Sequence, residues 1–254
     1  MPIRLAVFDF DLTLSVQHVF GALAGASRHT KEADTPSGAG NRWTVPPPHA
    51  RTEHGQLIRI AELDASPEFQ ARGGFAVAAF GGHERIAGLL ALLAELRAAG
   101  VECLVCTRGL IGPVRRCLDQ VGLLPHFTQI YGKVRTFYGV TEYDVQVSAA
   151  SLGADSRYLG SSKVAEWDSK PEVITQCLQE RGLQGHEAMF IDDDLSEVQA
   201  AMAVCNTMHV QGGQGLSNHD FAILRNTIAG SQGGSPASAP FATTPLRPAL
   251  QQPQ

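Results

Sequence analysis

The chain has 254 residues, 44% hydrophobic and 18% charged, and its formal charge is 20 − 25 = −5. At about 150 residues per domain this is one large domain or one domain with insertions, and the apolar content excludes a wholly disordered chain. There is no basic excess to hold a phosphate backbone and no run of the roughly 20 apolar residues that cross a bilayer, so neither nucleic acid nor membrane is an expected partner.

Met1-Pro2-Ile3-Arg4 leads straight into Leu5-Ala6-Val7-Phe8, a buried strand that ends in Asp9-Phe10-Asp11. This opening is too short and too acidic for a secretory leader. From Gly21 to about Gly82 the pattern breaks down, and Pro36, Pro46, Pro47, Pro48, Gly73, Gly74, Gly81 and Gly82 punctuate it. The segment reads as an irregular insertion over about 21–82, with a strand or short helix at 56–63. Order returns at His83, where Ile86, Leu89, Leu90, Leu93 and Leu96 recur at helical spacing before Gly100. A strand over 101–106 runs into Thr107-Arg108-Gly109. A helix opens near Pro113 and stops at Gly122, and a third strand covers 127–131. Residues 132–168 read as a second, smaller insertion. Lys170-Pro171 opens a helix that closes at Gly182. Ala188-Met189-Phe190-Ile191 is a strand ending in Asp192-Asp193-Asp194. A helix near 196–204, a strand near 207–210 and a last helix around 221–224 follow. From 230 to 254 the composition is Gly, Ser, Pro, Ala, Thr and Gln, the mark of a disordered tail.

The five cysteines, at 103, 106, 117, 177 and 205, are an odd and scattered set that points to a reducing, cytoplasmic compartment, with the nucleus as an alternative. Cys103 and Cys106 form a CxxC, but on a strand residues three apart face opposite ways, so they read as two core thiols. Strands alternating with amphipathic helices imply an α/β fold: a Rossmann-like three-layer α/β/α sandwich with a mainly parallel sheet and small irregular insertions.

In such sheets the site lies outside the carboxyl ends of the strands. Three strands end there in residues able to do chemistry: Asp9 and Asp11, then Thr107, then Asp192 and Asp193. So many carboxylates either protonate or gather a cation, and hard oxygen ligands suit Mg²⁺. Lys170 and the Thr107 hydroxyl can bind phosphate oxygens, which makes the set suited to phosphoryl transfer.

At this point Asp9-Phe10-Asp11-Leu12-Thr13 resembles the DxDxT signature of the haloacid dehalogenase superfamily. Thr107, Lys170 and Asp192-Asp193 resemble its second, third and fourth motifs, in the family's order. The resemblance implies a hydrolase domain over 1–229 and a Mg²⁺-dependent phosphomonoester hydrolase that works through an aspartyl-phosphate. Asp9 is then the nucleophile and Asp11 the acid and base, while Thr13 braces the loop. Thr107 and Lys170 hold the phosphoryl oxygens. Mg²⁺ is held by Asp9, the Asp11 carbonyl and Asp193, with Asp192 acting through its neighbours. Leu12 stands where familiar branches often carry Gly, Glu or Tyr. Lys163 competes with Lys170 for the lysine role. Arg108 lies at the pocket rim within reach of substrate, or in solvent. Asp194 caps the following helix, and His18, His83 and His209 read as surface or core residues. Neither insertion looks like a large cap, and this open site resembles the small-capped magnesium-dependent phosphatases. The expected partner is a phosphorylated small molecule or a phosphoprotein. The alternatives are a non-catalytic member that binds a partner and a phosphotransferase or mutase using the same residues.

Overall fold

The computed structural model describes residues 2–24, 51–133, 156–160 and 167–231. Its centre is a five-stranded sheet: β1 (Leu5–Phe8), β2 (Glu102–Leu110), β3 (Gln129–Lys133), β4 (Ala188–Asp192) and β5 (Asn206–His209). The strand order is β3-β2-β1-β4-β5, and every pairing is parallel. Parallel strands need crossovers, and helices supply them on both faces. The expected α/β/α sandwich is therefore what forms.

Alternate side chains along the strands enter opposite layers, as the pleat requires. Ala6, Phe8 and Cys103 belong to one apolar cluster, and Leu5, Val7, Leu104 and Cys106 to the other. Cys103 and Cys106 thus face opposite layers, as two core thiols. All five cysteines are free, and burial pushes the Cys103 thiol up to about 12.

In chain order the helices are α1 (Val19–Ala24), α2 (Glu53–Ala65), α3 (Pro67–Gln70), α4 (Phe75–Ala79), α5 (His83–Ala98), α6 (Ile111–Gln120), α7 (Lys170–Arg181), α8 (Leu195–Ala201) and α9 (Asn218–Ser231). Helix α5 buries Ile86, Leu89, Leu92, Leu93 and Leu96 and ends before Gly100, whose φ of 79° only glycine adopts freely. Helix α7 is capped by the Ser169 hydroxyl, carries Pro171 in its first turn and stops at Gly182.

Three boundaries differ from expectation. The stretch expected to be irregular is helical where it is described: over 51–82 it folds into α2, α3 and α4. Thr52 caps α2 by accepting the Gly55 N–H at 3.0 Å. This helix buries Leu57, Ile60 and Leu63 at helical spacing, but Glu53, His54, Gln56 and Arg59 are buried beside them, so its inward face is mixed rather than apolar. Strand β2 runs on to Leu110 rather than stopping at Cys106, because its pairing with β3 resumes at Leu110 and Lys133 after a register shift. Strand β3 is displaced two residues, to 129–133. Most of the second insertion, Lys163 included, and the tail beyond 231 lie outside the described residues.

Candidate active site

The three central strands deliver the site. Phe8 pairs with Val105 and with Ile191, so Asp9 leaves the sheet at the same height as Asp192. The Asp9 N–H continues the ladder to the Ile191 carbonyl at 2.8 Å. Beyond Asp9 the chain makes one tight turn over Phe10–Leu14. Within it Leu12 has φ 56° and ψ 11°, the left-handed region, where a side chain with a Cβ costs about 1 kcal/mol or more. No other non-glycine residue among those described has positive φ.

Lys170 is the first residue of α7 and points into the sheet end, buried. Its Nζ donates to Asp9 Oδ1 and to Asp192 Oδ2, each at 2.6 Å. Asp192 is spent in holding this lysine: its other oxygen, Oδ1, accepts the Asp194 N–H at 2.8 Å. Asp193 follows at the strand's end, and the Thr13 hydroxyl donates to its Oδ1 at 3.4 Å. Asp9, Asp192 and Asp193 each offer an oxygen within 4.8 Å of the others. Three hard oxygens this close suit a divalent cation such as Mg²⁺, and the fit is sharpest at Asp9 and Asp193, which keep an oxygen beyond those bonds.

Electrostatics follow from the crowding. Burial pushes Asp9 up to about 6 against the pull of Lys170, with Asp11 and Asp193 adding to the rise. Asp192 is pushed up to about 7 by burial and then by Asp9. Asp193 is raised by burial and by Asp192. Burial alone would lower Lys170, but the two carboxylates outweigh it and hold the ammonium charged.

The Asp11 side chain stands apart from this trio. Its Oδ1 accepts the Val19 N–H at 2.7 Å, and its Oδ2 lies 3.3 Å from His18 Nδ1. Burial raises its pKa, and His18 opposes the rise. Thr107 is buried within β2, where the ladder to β3 is interrupted, and its hydroxyl oxygen accepts the Gly109 N–H at 3.0 Å and leaves the O–H free to donate. It is not a helix cap, since α6 begins three residues beyond Arg108. Asp194 caps α8 through the Ser196 N–H, and the Ser196 hydroxyl holds its carboxyl below the usual range.

Asp9, Asp11, Thr107, Lys170, Asp192, Asp193 and Asp194 line one cleft of about 240 Å³, together with Leu12, His18, Phe20, Arg108, Gly109 and Glu197. At its rim Arg108 Nε donates to Glu197 Oε1 at 2.7 Å, and the guanidinium lies 5.9 Å from the Trp167 ring centre. The structure thus brings together Asp9, Asp11, Thr107, Arg108, Lys170, Asp192 and Asp193. His18 and Glu197 were not expected there. His18 follows Asp11 by seven residues with no local signal, and only the return of the chain into α1 brings it back. Glu197 lies in the first turn after the acidic triplet, which was the available clue.

A model of the haloacid dehalogenase-like hydrolases matches residues 3–204. The chain belongs to that family of hydrolases. No curated protein matches the sequence. Among solved structures, a haloacid dehalogenase-like hydrolase from Streptococcus pneumoniae is similar at 17% identity and a TM-score of 0.40, over 87% of this chain and 90% of its own. A protein described as a predicted phosphoglycolate phosphatase, from Haemophilus somnus, is similar at 15% identity and 0.41, over 84% and 87%. Protein Tyrosine Kinase A of Mycobacterium tuberculosis is similar at 24% identity and 0.39, over 86% and 88%. At these scores the likenesses add nothing to what the family model shows. No described helix is long and apolar enough to cross a membrane.

Proposed function

We propose that the protein hydrolyses phosphomonoesters in two steps through an aspartyl-phosphate on Asp9. The observation that carries this reading is the buried Lys170 ammonium, 2.6 Å from both Asp9 and Asp192 at the floor of the cleft. It holds Asp9 ionised near neutral pH despite burial, which a carboxylate nucleophile requires. Burial raises the pKa of Asp11, which favours the protonated form that a general acid needs.

In the first step an Asp9 oxygen bonds to phosphorus, the ester P–O bond breaks, and Asp11 gives its proton to the departing oxygen. In the second, Asp11 takes a proton from water, the water oxygen bonds to phosphorus, and Asp9 leaves as the carboxylate with release of inorganic phosphate. Thr107 O–H and Lys170 donate to the phosphoryl oxygens and oppose the charge that builds there. Mg²⁺ would be held by Asp9, the Asp11 carbonyl and Asp193, and when bound it would offset phosphoryl charge. Asp192 keeps Lys170 in place. The free cysteines support a reducing, cytoplasmic setting for this activity. The substrate is a phosphorylated small molecule or a phosphoprotein.

The test is hydrolysis of p-nitrophenyl phosphate with Mg²⁺, with EDTA and in Asp9→Asn. Turnover that needs both the metal and Asp9 supports the reading. Turnover that survives thorough chelation removes the metal, and turnover that survives Asp9→Asn removes the nucleophile.

A further inference from the structure

Arg85, on the first turn of α5, makes its bonds among the described residues to backbone carbonyls. Nη1 donates to Leu14 O at 2.7 Å and to Phe80 O at 3.1 Å. Nε donates to Leu216 O at 3.2 Å and Nη2 to Thr13 O at 3.3 Å. Burial lowers its pKa to about 10, so the cation persists at neutral pH. A half-buried cation among carbonyl dipoles gives up part of its hydration, and its planar fork of donors is what lets one side chain tie three chain segments together.

Two of those carbonyls end the turn that carries Asp9, Asp11 and Thr13. That turn contains Leu12 at φ 56°, a conformation that persists only where surrounding contacts over-determine it. Its local bonds, from Ser15 N and Ser15 Oγ to Phe10 O, close the turn on itself. They do not fix it to the rest of the molecule. Its ends are tied by the Asp9 N–H to Ile191 O and the Val16 N–H to Ala79 O, each at 2.8 Å, and the carbonyls of Thr13 and Leu14 between them are held by Arg85, helped by the Leu216 N–H, which also donates to Thr13 O at 2.9 Å. Gly215 permits this approach. A Cβ there would lie 2.5 Å from Arg85 Nη2 and 2.6 Å from Ser15 O.

We propose that Arg85 is a positioning residue that holds the strained Asp9–Thr13 turn in the shape that gathers Asp9, Asp11 and Asp193 at the cleft. It acts through Thr13, whose carbonyl it grips and whose hydroxyl meets Asp193. The kinetic consequence rests on the phosphatase reading; the structural consequence rests on the contacts alone.

The test uses the full chain as Arg85→Met and Arg85→Lys, each with and without Leu12→Gly. Three readouts are followed: hydrogen exchange of peptides over 9–17 against those over 187–195, Mn²⁺ affinity by calorimetry, and p-nitrophenyl phosphate turnover. Arg85→Met should speed exchange over 9–17 about tenfold while 187–195 stays protected. It should weaken Mn²⁺ binding about tenfold and lower kcat more than it raises KM. Arg85→Lys, which keeps the charge but reaches fewer carbonyls, should fall between. Leu12→Gly should recover part of the lost protection and Mn²⁺ affinity in either variant, because glycine adopts positive φ without strain. The proposal is overturned if the turn's exchange and the Mn²⁺ affinity stay within about twofold of wild type in both variants. It is equally overturned if exchange rises evenly over the whole sheet and Leu12→Gly restores nothing, for then Arg85 only holds the fold. A wild type that turns over no phosphomonoester, with the exchange and Mn²⁺ results as expected, would sink the phosphatase reading and leave Arg85's role standing.

Discussion

Lys170→Met is the sharpest perturbation of the acid cluster. The Lys170 Nζ lies 2.6 Å from Asp9 and from Asp192, and the two carboxylates are 5% and 1% exposed. Removing one partner of a buried ion pair costs about 3–5 kcal/mol, because the charge left behind stays buried. Protonation sets a ceiling on that cost. With Lys170 present Asp9 and Asp192 titrate at about 6 and about 7, so at about 1.36 kcal/mol per pH unit above those values neutralising both costs about 3 kcal/mol at pH 7.5 and almost nothing at pH 5. The variant should therefore lose up to about 3 kcal/mol of stability at pH 7.5 but less than about 1 kcal/mol at pH 5. Urea unfolding in EDTA at both pH values, with wild type beside it, reads the difference. A loss that is equal at the two pH values, or below about 1 kcal/mol at pH 7.5, would show that Lys170 does not neutralise the pair. Under the proposed mechanism turnover should also fall about 10²–10³-fold, as it does when one donor to a charged transition state is removed.

Asp9→Asn should lose at least about 10⁴-fold in turnover, since the nucleophile is gone. Its melting temperature in EDTA should hold or rise, because Asp192 still pairs Lys170 and one crowded acid has been neutralised. Asp11→Asn should slow ester hydrolysis about 10²–10⁴-fold. With p-nitrophenyl phosphate, whose leaving group needs no proton, it should accumulate an added phosphate mass on Asp9 after a rapid acid quench. Label on another residue would refute the division of labour between the two acids. Asp9 and Asp192 have folded pKa values of about 6 and about 7, above the 3.8 of the unfolded chain. The folded state therefore binds more protons between those limits, so the cluster's contribution to stability is greatest below about pH 4 and is lost as pH rises through 6 to 7. Denaturation against pH in EDTA should show this decline in wild type and a smaller one in Asp192→Asn. Mg²⁺ should flatten the wild-type curve.

Much of the molecule is legible where local pattern and burial coincide. The run Leu5–Phe8 is buried throughout and ends in the acids it was expected to carry. The stripe on α5 and the glycine after α7 mark those helices within a residue or two. Helix α2 was legible only as a strand or short helix at 56–63, because the polar Glu53, His54, Gln56 and Arg59 also turn inward and blur its apolar period. Glu53 Oε1, for example, accepts the Gly112 N–H at 2.6 Å, a partner set by the fold rather than by neighbours in sequence. Strand β2 reads as 101–106 because its apolar run stops at Cys106; only pairing with β3 extends it. At the site, Asp9, Lys170 and Asp192 are visible because each falls at the end of an element, and Thr107 because it closes the apolar run of β2. His18 and Arg85 are not, since neither carries a motif and each reaches its partners through the path of a loop.

The place of β1 in the sheet has a consequence for how the protein can be assembled. β1 is the middle strand, and its Leu5 is flanked by Glu102 on one side and Ala188 on the other. Both flanking strands come far later in the chain, so neither edge of β1 can be satisfied by local hairpin formation. Long-range pairing of this kind is slow, and until it is complete the Leu5–Phe8 segment is an uncovered sticky edge. The same closure that covers it sets Asp192 beside Asp9. Chain fragments that stop short of β4 should therefore aggregate rather than persist as partly working pieces, and a fragment supplying residues 167–231 in trans should restore solubility and the cation site together or restore neither.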